Sequence, residues 1–223
     1  MNLKFNFLDT SFKVENFSFN TIVIENKYIL RKLKYFLSNE FESTDPPFVV
    51  YKGIDLKKAD SCCFYISNLF DLNLNTKKNT NSLYKILKSL YIKNYNDDIE
   101  KVRENFSKIV KSISMDFEIE LSIKDKVEID DLFKIVDLKI NDDIDDLVVR
   151  LEKFIKIMYE LHGIRYFFIE DIHRYLDENE IYSIIDELKY IDICVLNVEK
   201  SNFLEKIEKE NCYFIDEIFC TLE

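Results

Sequence analysis

Residues 142–199 read DDIDDLVVRLEKFIKIMYELHGIRYFFIEDIHRYLDENEIYSIIDELKYIDICVLNVE, and this stretch decides the fold class. Its first third has helical periodicity, with Ile144, Leu147, Val148, Leu151, Phe154, Ile155 and Met158 on one side. Four aspartates (142, 143, 145 and 146) crowd the start, where the helix dipole favours anions. Gly163 sits just past the end, where a left-handed cap is wanted. A buried strand follows at 165–169, then a helix at 178–189 and a strand at 191–198. Beyond it a helix is predicted at 202–209 and a strand at 213–215. Alternation of this kind implies a mainly parallel sheet covered on both faces.

Towards the N-terminus the same class continues. Strands are predicted at 1–8, 21–25 and 48–51, with a helix at 27–37 that buries Ile29, Leu33, Phe36 and Leu37. Asp45-Pro46-Pro47 breaks the chain before the third strand, because proline lacks an N–H and restrains its predecessor. A further apolar run covers 62–70. Then the character changes. A polar loop at 73–82 leads into helices at about 80–93 and 97–117. The second carries a stripe of Ile99, Val102, Phe106, Ile109, Val110 and Ile113. The reading is a discontinuous α/β head, residues 1–70 and 140–223, with a helical leg and an acidic junction inserted at 71–139.

Charge separates along the chain as well. The total is −11, yet residues 1–111 sum to +5 and residues 112–223 to −16. Such asymmetry suits a basic working face beside an acidic body, though solvated surface charge would look the same. No apolar run reaches the ~18 residues of a membrane span, so no membrane is expected. The five cysteines are Cys62, Cys63, Cys194, Cys212 and Cys220, and none forms a CxxC pair. They fit reduced thiols in a cytoplasmic protein rather than a zinc site or a disulfide framework.

An α/β head raises the question of nucleotide binding. A phosphate loop needs glycines so that backbone N–H groups can wrap the anion. Between Gly53 and Gly163 there is none. The expected position, after the 62–70 run, holds Asn73 to Ser82 instead. Tyr166 to Asp171, YFFIED, has the form of the acid-terminated strand that holds magnesium in ATPases. Without the loop, Glu170 and Asp171 read as a strand-end cap or as partners of a neighbouring group. His162 and His173 have no nucleophile beside them and read as structural. The segment 116–131 is dense in acids: Asp116, Glu118, Glu120, Asp125, Glu128, Asp130 and Asp131. Carboxylates suit calcium, and a solvated acidic surface is the competing reading. Lysines dominate the cations, which is the pattern of phosphate contact without base readout.

The order of these segments resembles the Csn-two family of type II-A CRISPR adaptation proteins. It is carried by MNLKFNFLD at 1–9, TIVIEN at 21–26, LFDLNLN at 69–75, DFEIELSIKDKVEIDDLFKIVDLKI at 116–140, YFFIED, ICVLNVE at 193–199 and NCYFIDEI at 211–218. The resemblance implies a degenerate P-loop-ATPase-like α/β head with a mainly parallel sheet and an inserted α-helical leg. It implies a non-catalytic homotetrameric ring that binds double-stranded DNA ends, works in spacer acquisition, and partners the adaptation integrase and the effector nuclease. Carried over by position, calcium would be held by Glu118, Glu120 and Asp125, with Asp116 and Glu128 behind them. The DNA channel would draw on Lys32, Lys124, Lys126, Arg150 and Lys153. A diverged ATPase using Glu170 and Asp171, or a purely structural adaptor, are the rival expectations.

Overall fold

The computed structural model describes residues 2–6, 11–13, 19–43, 45–52, 55–94, 96–115, 128–200, 210–217 and 221–222. It divides into two compact units. One comprises Met1–Asn73 with Asp143–Glu223, and the other Leu74–Asp142.

The first unit holds two sheets. Five parallel strands and one antiparallel edge strand form the larger: β3 (Phe19–Ile24), β6 (Cys63–Ile66), β7 (Tyr166–Glu170), β8 (Cys194–Glu199), β9 (Glu210–Ile215) and β10 (Thr221–Leu222). Their spatial order is β10-β9-β3-β8-β7-β6. β3 is central, and all six of its residues are buried. Side chains alternate between the two faces of a sheet. Ile22, Ile24, Phe168, Cys194, Leu196 and Val198 therefore share one face, on which α1 (Lys27–Ser38) packs. Phe64, Phe167, Thr21, Asn197 and Glu199 point the other way. That second face takes α6 (Leu147–His162), whose Phe154 lies 5.5 Å from Phe64, ring to ring.

A second sheet joins the α1 side. It is antiparallel, in the order β2-β1-β4-β5, from β1 (Asn2–Phe5), β2 (Ser11–Lys13), β4 (Phe48–Lys52) and β5 (Asp55–Lys57). The sequence reading predicted strands at 1–8 and 48–51 without assigning them to a sheet. The structure separates them from the parallel sheet, because β1 pairs only with β2 and β4, both antiparallel. Phe48 is the hinge of the packing, 5.3 Å from Phe36 of α1, 5.1 Å from Phe168 of β7 and 5.8 Å from Phe5. The small helix α2 (Ala59–Cys62) leads into β6, and α7 (Glu178–Leu188) lies between β7 and β8. Cys62, Cys63, Cys194 and Cys212 are in the reduced state.

The second unit contains α3 (Lys77–Asn94), α4 (Asn96–Ser114) and α5 (Ile129–Ile135). α3 begins earlier than expected, so Lys77 and Lys78 are helical rather than in a loop. Thr76 explains this, because its hydroxyl accepts from Asn79 N at 3.2 Å at the start of the helix. Tyr84 of α3 ties the unit together, donating to Leu138 O at 3.0 Å and facing Phe133 at 5.1 Å. No helix among the described residues is long and apolar enough to cross a membrane. The helix expected at 202–209 lies outside the described residues.

α6 starts at Leu147 and not at residue 142, because Asp146 is its N-cap and accepts from Val149 N at 2.9 Å. It ends at Gly163, which has φ +70° and donates to Tyr159 O at 2.8 Å. A Cβ there would meet nothing within 4 Å, so only the backbone conformation resists substitution. Gly163→Ala should therefore lower stability by about 1 kcal/mol, read as an earlier denaturant midpoint with an unchanged slope.

Candidate nucleic-acid interface

In an open parallel sheet, ligands sit outside the carboxyl ends of the strands where the connections diverge. Here that point lies between β3 and β8. The link from β3 runs through α1 towards β6, while the link from β8 passes to β9 on the far side of β3. A phosphate loop would occupy the β3–α1 link. The sequence reading put that position after residues 62–70; sheet order moves it to Glu25-Asn26, because β3 and not β6 is central. The link is only two residues long. Asn26 closes it. Its side-chain oxygen accepts from Tyr28 N and Ile29 N at 3.0 and 3.1 Å, and its amide donates to Glu217 O at 2.9 Å. Glu25 N donates to Ile215 O at 2.9 Å. The N–H groups of Tyr28 and Ile29, which could help cradle a phosphate, are already used.

α1 itself has an unusual surface. Ile29, Leu30, Leu33, Phe36 and Leu37 are buried, and at 100° per residue they occupy one side. The opposite side runs, in angular order, Lys34, Lys27, Ser38, Arg31, Tyr35, Tyr28, Lys32. Lys27 and Arg31 are exposed at its middle. Tyr28 and Tyr35 are 61 % and 71 % exposed, and the Arg31 guanidinium lies 5.8 Å from the Tyr28 ring centroid. The helix contains four cations and no acid. Each flank is tied to a carboxylate. Lys32 Nζ lies 2.8 Å from Asp45, and Lys34 Nζ lies 2.5 Å from Glu170. The pair with Asp45 holds the Lys32 ammonium above its ordinary value, chiefly by hydrogen bonding.

The described members of the expected channel set lie on both sides of the large sheet. Lys32 is on the α1 side of the large sheet. Arg150 and Lys153 are on α6, on the opposite side, so the sheet separates them. Arg150 donates from Nε and Nη2 to Ile144 O, at 3.3 and 3.0 Å, and from Nη1 to Leu72 O at 3.5 Å. Its guanidinium braces main-chain carbonyls. Lys153 is half-buried. Lys124 and Lys126 lie outside the described residues. The expected set drew only Lys32 from α1 and passed over Lys27, Arg31, Tyr28 and Tyr35. A signal existed: a twelve-residue helix without one acid, in a chain of net −11.

Of the expected calcium ligands, Glu118, Glu120, Asp125 and Asp116 lie outside the described residues. Glu128 is described. It and Asp130 converge on Lys88 Nζ at 2.8 and 3.0 Å, and Asp130 Oδ1 is buried without a hydrogen-bond partner. Hydrogen bonds to Glu128 and then to Asp130 hold the Lys88 ammonium above its ordinary value. The corner thus fits a cation, and an ammonium fills it. Among the described residues no three acids, histidines or cysteines gather as a metal-holding group.

A separate polar cluster is buried on the α6 side. Thr21 donates to Glu210. Glu199 Oε1 accepts from Asn197 Nδ2 at 2.9 Å and from His173 N at 3.4 Å. His173 Nε2 lies 3.1 Å from Glu210 Oε1, but at an angle that makes no hydrogen bond. Burial pulls the His173 ring below its ordinary value against the pull of Glu210. Burial also pushes the Glu199 carboxyl up to about 7, with Asn197 opposing and Asp171 reinforcing.

The family of the chain follows from comparison. A family model described as CRISPR-associated protein (Cas_Csn2) matches residues 42–219, and the chain belongs to that family. A search of curated proteins finds no match. Among solved structures, a chain described as an ABC transporter (ATP-binding protein) from Pyrococcus furiosus is 14 % identical, with TM-score 0.41, covering 95 % of this chain and 97 % of that one.

A raised carboxyl in the folded state adds stability that is complete below the unfolded value of 4.5 and is lost as pH rises to about 7. Removing the charge should cancel that loss. Relative to the wild type, Glu199→Gln should gain on the order of 2 kcal/mol between pH 5 and pH 8 in denaturant titrations. A constant difference between the two proteins across that range would contradict the assignment.

Proposed function

We propose that this CRISPR-associated chain is a non-catalytic binding protein that holds double-stranded DNA ends by their backbone, without reading sequence. The observation that carries this reading is the outer face of α1. Exposed Lys27 and Arg31, set beside Tyr28 and Tyr35 on a helix with no acid of its own, are the cations offered to phosphates, while Lys32 and Lys34 at the flanks are held by Asp45 and Glu170. In a chain of net −11, α1 and α3 each contain no acid, and α1 is the one of the two that sets exposed cations beside exposed tyrosines, Tyr28 and Tyr35. The family supports a place in adaptation, with the integrase and the effector nuclease as partners in spacer acquisition in the cytoplasm.

Self-association into a homotetrameric ring is part of the proposal. α4 supports it, because Phe106, Ile109 and Ile113 recur at helical spacing and are 45 %, 55 % and 48 % exposed. An apolar stripe of this kind is covered when a second helix lies along it. Calcium, held by Glu118, Glu120 and Asp125 with Asp116 and Glu128, would stabilise that assembly. The Lys88–Glu128–Asp130 corner supports a cation-dependent junction, since an acidic cluster needs positive charge to stay folded. The ATPase alternative is disfavoured by the Asn26 cap and by Lys34 sitting on Glu170.

Four measurements test the reading. Linear duplex should shift in a gel and closed circles should not, with the linear shift weakening as salt rises. Lys27→Gln and Arg31→Gln should each flatten the plot of log K against log salt by about one unit, whatever the sequence. Mass measured with and without calcium should move from smaller species to a tetramer. Equal capture of circles, or calorimetric heat with magnesium and ATP, would reject the proposal.

A further inference from the structure

Glu170 occupies the last rung of β7, opposite Val198 of β8, and therefore points to the α1 face. The next residue, Asp171, is in the left-handed region at φ 50°, and its N–H donates to Val198 O at 3.2 Å. The strand end is thus fixed on the sheet. Its carboxylate is 14 % exposed and meets Lys34 Nζ at 2.5 Å. In phosphate-loop ATPases the acid ending such a strand holds magnesium. Here an ammonium from α1 holds that position.

The two flanks of α1 are unequal. Asp45, the partner of Lys32, is 75 % exposed, and an ion pair so open to water adds little. Lys34–Glu170 is more sheltered and joins the helix directly to the sheet. The apolar side sets how deep α1 sits, while a directional ion pair resists rolling about the helix axis. A roll would turn Lys27 and Arg31 together away from the direction in which they now face.

We propose that Glu170 is a positioning residue for nucleic-acid binding: through Lys34 it fixes the roll of α1, and so the row of cations that meets the phosphates. This role rests on the reading of α1 as the duplex interface. It makes a prediction opposite to bare electrostatics. Removing an acid beside a DNA-binding face should tighten binding and free Lys34 for an additional phosphate. A positioning role predicts weaker binding with no phosphate contact added.

The test uses the full chain and linear duplex. Glu170→Gln should raise Kd about three- to tenfold, leave the salt slope unchanged, and speed amide hydrogen exchange in α1. The double variant Lys34→Met with Glu170→Met replaces the ion pair by an apolar contact. It should recover most of the affinity and the slow exchange, a rescue that a masked phosphate contact would not give. Tighter binding or a steeper slope in Glu170→Gln would overturn the role, as would α1 exchange in that variant no faster than in a wild type that binds duplex. A wild type that ignores duplex overturns the underlying reading first, and this role with it.

Discussion

Asn26 holds the corner on which the head depends. With one side chain it accepts from two N–H groups of α1 and donates to a carbonyl just beyond β9. Those bonds do two things together. They direct the chain from the central strand into α1 with no intervening loop, and they fill the anion-binding positions at the helix N-terminus. The link between β3 and α1 thereby leaves no loop in which a triphosphate could be cradled, while the helix keeps a defined direction. The basic face of α1 and the anchoring of Lys34 both follow from that direction.

Positive charge is managed locally in this molecule. Lys34 neutralises Glu170 at the end of β7, Lys32 meets Asp45, and Lys88 bridges Glu128 and Asp130. Lys88 stands between two carboxylates that would otherwise repel one another, and Lys34 meets one that is largely buried. The middle of the α1 face is different, because Lys27 and Arg31 are exposed there with tyrosines between them. This contrast separates cations that hold the fold from those suited to a partner's phosphates.

The buried cluster of Thr21, Asn197, Glu199, Glu210 and His173 belongs to another class of constraint. Two carboxylates and an imidazole lie on the α6 side of the sheet, satisfied in part by Thr21 and Asn197. Polar groups so placed cost stability unless their protonation states suit one another. The cluster makes the centre of the sheet sensitive to pH, on the face opposite α1.

Periodicity determined the α/β class and the helices α1, α3, α4, α6 and α7, and the glycine positions determined that a glycine cradle is missing between Gly53 and Gly163. These are properties of residues close in sequence, and side-chain spacing reports them directly. The acid-free run in α1 was equally legible, although its place on an exposed face was not. Strand order was decided only by tertiary structure. Pairing β3 between β8 and β9 joins residues about 175 and 190 positions apart in the chain, and no local pattern encodes such partners. That order moved the phosphate-loop position to Glu25-Asn26, put Lys32 and Lys153 on opposite faces, and split off the antiparallel sheet. It also brought Lys34 to Glu170 across 136 residues. Local spacing determines which face of an element is apolar; which side chain lies opposite it depends on contacts that form only when the whole sheet closes.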